Sequence, residues 1–262
     1  MQRTSREEQI RGYFGTLYAA WGRQHWWPAR SRFEVIVGAY LTQNTAWNNV
    51  EKAMMRLREA GILHVDGIRQ APLQQLEQLI RPAGYFRQKA QRLKAFVAFL
   101  EERYQGSLAR MFASPTARLR EELLALNGVG PETADSILLY AGNHPIFVVD
   151  AYTRRILHRH QILEPTAAYD TIRELFERAL APVATEHRDP DQGRAAMELR
   201  GAAHPPSRMS TKRRSPLAQV YNEMHGLIVG VGKEFCLKSQ AKCEECPLRR
   251  FLPGGRKPVV GR

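Results

Sequence analysis

Apolar residues recur at intervals of three and four along nearly the whole chain, and this spacing restricts it to helices. Phe33, Ile36, Val37, Tyr40 and Leu41 set one such stripe. Leu93, Phe96, Val97 and Leu100 set a second, and Leu119, Leu123, Leu124 and Leu126 a third. Ala134, Ile137, Leu138 and Ala141 follow, then Tyr152, Ile156 and Leu157. Further helices are predicted near 168–180 and 217–231. The short "IFVVD" is the one segment with strand character, and it is too brief to form a sheet alone. An all-α fold is expected.

Punctuation falls where helices should end: "SPT" before Ala117, "GNHP" at 142–145 and "EPT" at 164–166. From about 186 to 216 the chain is polar and proline-containing, with no long apolar face, and reads as a mobile loop or insertion. Its Lys212, Arg213 and Arg214 either touch a DNA backbone or form a solvated face.

The chain has 262 residues, 39 Lys and Arg against 26 Asp and Glu, and a formal net charge of +13. Such an excess points to a polyanionic partner, because each cation placed on a phosphate releases a condensed counterion. No apolar run approaches the roughly 18 residues of a membrane span. Charges interrupt the N-terminal stretch where a signal peptide would be apolar. A cytoplasmic, nucleoid-associated protein without a membrane partner is the expectation. The three cysteines all lie between Cys236 and Cys246, a spacing that favours metal chemistry over disulfides.

The segment "LNGVGPETAD", Leu126 to Asp135, places two glycines and a proline between two helical patterns. Gly128 and Gly130 allow positive φ and close backbone approach. Val129 can tuck inward, and Pro131 suits a first helical turn. The N–H groups at that helix start, with Thr133 among the first residues, form an anion site suited to phosphate. A plain structural turn is the competing reading.

Its continuation, "LNGVGPETADSILLYAGNHPIFVVDAYTRRILHR", resembles the helix-hairpin-helix DNA glycosylase superfamily, the group containing endonuclease III. "FEVIVGAYLTQNTAWNNV" is similar to the early barrel helix and following turn of that group, so the likeness covers most of 33–159. It implies a six-helix barrel plus a second helical domain built from both termini, with DNA held at their groove. The expected boundaries are 1–31, 32–141 and 142–262. The implied partner is double-stranded DNA containing a damaged base, bound by a monomer.

By the same resemblance Asp150 is the catalytic carboxylate. Chemically, an anion there stabilises an oxocarbenium-like sugar or activates water, and its place before a helical pattern also suits a simple N-cap. Strand-nicking relatives carry a lysine two positions past the second hairpin glycine, where this chain has Glu132. A carboxylate forms no Schiff base, so hydrolysis without lyase activity is expected. Glu132 is either a solvated first-turn residue or a pocket residue favouring cationic bases. Nothing in the sequence brings another lysine, such as Lys233, near the sugar.

"GVGPETADSIL" and "WWPARSRFEVIVGAYLTQNTAW" look most like the 3-methyladenine DNA glycosylase III branch. There, an aromatic pair stacks on the excised alkylpurine. Trp26 and Trp27 would play that part, since indole faces attract a flat cation; core packing is the alternative. Gln43 and Asn44 would fill the hole left by the flipped base, and Tyr152 and Arg154 would line the pocket or reach phosphate. Removal of alkylated purines is therefore expected. An oxidised pyrimidine or mismatched base is the alternative lesion, and a non-catalytic DNA-binding module the alternative of another class.

The tail "CLKSQAKCEECPLRRFLPG" spaces Cys236, Cys243 and Cys246 as C-x6-C-x2-C. Endonuclease III relatives add a fourth cysteine after five more residues and ligate a 4Fe-4S cluster; here that position is Leu252. A cluster with an incomplete cysteine set, a decayed site and a three-cysteine zinc site are all open. In each case the tail would present Lys238, Lys242, Arg249 and Arg250 to DNA.

Overall fold

A computed structural model describes residues 5–186 and 204–253. Among them the regular structure is helical, with one isolated bridge between Cys236 and Ala241. The "IFVVD" segment forms no strand. The chain forms two compact units, one of 29–144 and one of 1–28 with 145–262.

The 29–144 unit is organised around the helix Arg32–Thr42. The stripe spacing predicts one buried face, but every residue from Phe33 to Leu41 is buried. The cause is packing: helices Trp47–Glu59 and Phe86–Tyr104 and the segment Ile137–Gly142 all pack on it. Even Glu34 is buried, with Arg58 3.3 Å away and the Arg30 amide donating to it. Shorter helices, Val65–Gln70, Leu73–Ile80 and Leu108–Met111, close the unit.

The second unit repeats the principle around Pro216–Glu234, capped by Ser215 and buried from Val220 to Gly232. Arg6–Trp21, Ala151–Arg159 and Tyr169–Glu186 pack against it. Arg6–Trp21 starts with a reciprocal Ser5–Glu8 capping box, which satisfies two amides that the helix cannot.

Of the expected insertion at 186–216, residues 187–203 lie outside the described residues. The remainder is built rather than loose. Ser207 and Ser210 exchange side-chain to backbone hydrogen bonds, and Met209 is buried. Arg214 folds back to donate to the Met209 carbonyl, so this member of the basic run is held within its own loop.

Candidate functional site

The hairpin joins the helices Thr116–Leu124 and Pro131–Ser136, the latter passing into the π-helical Ile137–Gly142. Arg120 holds the two together through paired bonds to the fully buried Asp135, at 2.7 and 3.2 Å. Val129 is buried, as its apolar character predicts. The two glycines differ. Gly128 has φ +76, and a β-carbon there would stand 2.0 Å from Arg92 Nε. Gly130 has φ −93, which any residue adopts, and a β-carbon there would meet nothing within 4 Å. Of the two glycines, each of which permits positive φ, Gly128 alone adopts it. Pro131 occupies the first helical turn and Glu132, beside it, is exposed.

Gln43 faces inward. Its Nε2 donates to the Gly128 carbonyl and to Thr133 Oγ1, both at 2.9 Å, and its Oε1 accepts from Arg92 at 2.8 Å. The amide expected to meet an orphaned base thus braces the hairpin, and Thr133, 7% exposed, is part of that brace rather than an open phosphate donor. Asn44, the next residue, is exposed and left-handed at φ +52.

Beneath this turn lies Lys89, 1% exposed. Its ammonium donates to the carbonyls of Leu41 and Ala83, each at 2.8 Å, and to Thr45 Oγ1 at 2.7 Å. Burial, with the charge of Arg92, lowers its pKa to about 8, so it stays largely protonated at neutral pH. Lys89 was not legible as a site residue in the sequence. The available signal was a charge four residues before Leu93, on the apolar stripe of its helix.

In the other unit Asp150 caps Ala151–Arg159. Its Oδ1 accepts from the Thr153 amide at 2.7 Å and from Thr153 Oγ1 at 2.9 Å. Its Oδ2 lies 3.6 Å from Nε2 of His225, a buried residue of Pro216–Glu234. Burial opposes ionisation. The nearby His225 imidazole and the two Thr153 bonds outweigh it, holding the carboxyl below its ordinary pKa. His225 was also missed: a helix buried on every side shows no stripe against which one histidine stands out.

Trp26 and Trp27 are each 7% exposed and meet edge to face at 5.7 Å. His225 lies 6.0 Å and His204 5.5 Å from the Trp26 ring, and Lys233 Nζ stands 5.8 Å over it. The structure thus brings Trp26, Asp150 and His225 into one neighbourhood and adds Lys233, which sequence alone did not place. Tyr152 packs flat enough on Gly232 that a β-carbon there would stand 2.2 Å from its ring. Arg154 donates to the Ala167 carbonyl at 2.7 Å and is half-buried.

The cysteine tail encloses a small cavity lined by Cys236, Cys243, Cys246, His160 and Leu252. Burial and the charges of the other two cysteines push the Cys246 thiol up to about 11, though a bond from the Leu248 backbone opposes them. Among the described residues no three His, Cys, Asp or Glu side chains are arranged to hold a single metal ion. Arg155 and Arg159, on the helix that Asp150 caps, bind the start of this tail. Arg155 donates to the Cys236 carbonyl, and Arg159 to Cys236 Sγ and the Leu237 carbonyl. Of the tail's cations, Arg249 pairs with Glu244 and Arg250 with Thr16, while Lys238 and Lys242 are exposed.

Comparison with known proteins gives this geometry a context. A family described as HhH-GPD superfamily base excision DNA repair protein matches residues 37–182. A protein of Methanocaldococcus jannaschii, provisionally named a DNA repair glycosylase, is 40% identical over 246 residues, 93% of this chain and 96% of that one. Endonuclease III of Thermotoga maritima is 27% identical over 87% of this chain and 86% of its own. The H. pylori 3-methyladenine DNA glycosylase bound to 1,N6-ethenoadenine superposes with a TM-score of 0.68 at 26% identity, covering 88% of this chain and 98% of that one. With the hairpin, the all-helical fold and a match over more than half its length, the chain belongs to the HhH-GPD superfamily of base excision DNA repair proteins.

Proposed function

We propose that this DNA glycosylase is monofunctional and hydrolyses the N-glycosidic bond of alkylated purines in duplex DNA. The observation that carries the reading is the state of Asp150: buried, capping a helix, and kept ionised by Thr153 and His225. An anion preorganised in this way stabilises the positive charge that develops on the sugar as the base leaves, or takes a proton from attacking water. A methylated purine is itself cationic, so its bond is weakened without a strong general acid. The base must leave the stack to be reached, and a damaged base does so at lower cost.

Phosphate recognition falls to the hairpin. Gly130, with open space where a side chain would be, lets the backbone approach a phosphate at the start of Pro131–Ser136, where helix N–H groups lack intrahelical partners. Glu132 occupies the position at which strand-nicking relatives carry a lysine. No imine forms on a carboxylate, so the product is an abasic site and an intact strand.

Cys236, Cys243 and Cys246 would supply an incomplete ligand set for a 4Fe-4S cluster. They line one cavity. Leu252, at the fourth ligand spacing, lines the same cavity. Such a cluster would serve structurally, ordering a tail that bears the exposed Lys238 and Lys242.

A second reading is a different lesion, and the burial of Trp26 and Trp27 favours it, because a stacking platform must expose a face. The test is single-turnover base release from duplexes carrying 3-methyladenine, an oxidised pyrimidine or a mismatched base, with and without borohydride. Release of the alkylpurine with no trapped adduct is expected. Preference for another lesion overturns the substrate assignment, and an adduct overturns the monofunctional one.

A further inference from the structure

Three exposed residues of the 29–144 unit, Asn44, Tyr85 and Gln105, have φ of +52, +44 and +54, and the first two lie beside one buried ammonium. Tyr85 is 67% exposed, an unusual position for so large a ring. Left-handed backbone costs a non-glycine residue about 1–2 kcal/mol and persists only where neighbouring structure enforces it. Both tips follow points held by the same ammonium. Lys89 binds Leu41 and Thr45, which bracket the Asn44 turn, and Ala83, two residues before Tyr85. Thr45 Oγ1 also donates to the Ala83 carbonyl, closing the link between the turns.

The ammonium has three N–H donors and three acceptors, two of them backbone carbonyls. A salt bridge would pin one side chain, whereas this arrangement pins two main chains. One turn along the same helix, Arg92 holds Gln43 Oε1, and Gln43 in turn holds Gly128 of the hairpin. A single helix face thus fixes both tips and the phosphate-binding turn.

We propose that Lys89 is a positioning residue that sets the register of the Asn44 and Tyr85 tips, so that they enter an opened duplex together while the hairpin holds the backbone. This inference rests on the DNA-glycosylase reading above. The Asn44 amide would meet an unpaired base, and the Tyr85 ring would stack on an exposed one. Phosphate contacts give affinity without this register, whereas duplex opening depends on it.

The experiment needs no base chemistry. A duplex with 2-aminopurine opposite a tetrahydrofuran abasic analogue is titrated with wild type, Lys89→Met and Thr45→Val. Wild type is expected to change the 2-aminopurine fluorescence on binding. Both variants are expected to bind within about threefold of wild type, through the hairpin, and to lose at least about half of that change at saturation. Thr45→Val removes one acceptor and leaves Lys89 in place, so it decides the matter if Lys89→Met melts early. A full wild-type signal from Thr45→Val, or a loss of signal that only tracks weaker binding, overturns the proposal. Failure of wild type to release any base would instead sink the proposed function and leave this fluorescence result standing.

Discussion

Oδ2 of Asp150 lies 3.6 Å from Nε2 of His225, and Thr153 occupies the other carboxylate oxygen through two hydrogen bonds. One oxygen therefore fixes the orientation of the group, and the other faces the histidine. Asparagine caps helices about as well as aspartate, so Asp150→Asn should fold and bind DNA normally. Base release in a single turnover should fall at least about 100-fold, on the scale of losing a preorganised transition-state charge. Survival at the wild-type rate would remove Asp150 from the mechanism.

Replacing His225 with phenylalanine keeps a ring in place and removes the imidazole nitrogen that faces Asp150. His225 lowers the Asp150 pKa, so the variant's carboxyl should titrate at higher pH. If ionised Asp150 does the chemistry, the acid limb of the pH–rate profile moves upward. The sign for stability follows from the same shift: a depressed carboxyl stabilises the fold above its unfolded pKa, and that contribution is lost as pH falls through the folded value. His225→Phe should therefore show less acid-dependent loss of stability than wild type. An unmoved acid limb would separate His225 from Asp150.

The two hairpin glycines should respond differently to alanine. Gly128→Ala meets positive φ and the Arg92 side chain, and should cost about 1–3 kcal/mol in denaturant unfolding. Gly130→Ala should leave stability within about 0.5 kcal/mol, because its backbone is ordinary and its surroundings are open. Its DNA affinity should still fall by about tenfold if the hairpin binds phosphate as proposed, since the added methyl would enter that open space. Equal DNA affinity for Gly130→Ala and wild type would remove the hairpin from phosphate binding.

Glu132 is exposed on the first turn of the hairpin's second helix. Glu132→Lys supplies the amine that strand-nicking relatives carry at this position. Borohydride should trap a covalent adduct with this variant and none with wild type. Trapping by wild type would place a nucleophilic lysine elsewhere, and Lys233, over the Trp26 ring, would be the first to replace.

Leu252 lines the cavity of the three cysteines at the position where a fourth ligand would stand. Freshly purified protein should contain iron, and Leu252→Cys should slow its removal by a chelator. Cys243→Ser should lower both iron content and melting temperature. Iron-free protein that melts identically with and without Cys243 would mark the site as decayed.

The sequence by itself determined the class of the fold, because a 3.6-residue apolar period leaves a chain no surface to bury except as helices. It also determined the hairpin and the capping position of Asp150, since glycine, proline and aspartate act through their own backbone geometry and need no distant partner. Val129, Pro131 and Asp150 stand as local chemistry predicts. What tertiary structure decided was where side chains point and which charges go inside. Gln43 turned inward because the Gly128 carbonyl, 85 residues along the chain, offered its amide a partner. Lys89 was buried because Leu41, Thr45 and Ala83 converge on it from separate turns. His225 reached Asp150 only when two helices far apart in sequence packed together, and Trp26 and Trp27 were enclosed by that same packing. Local propensity depends on neighbours in the chain, whereas the desolvation of a polar group is decided by neighbours in space, and those exist only once the helices have met.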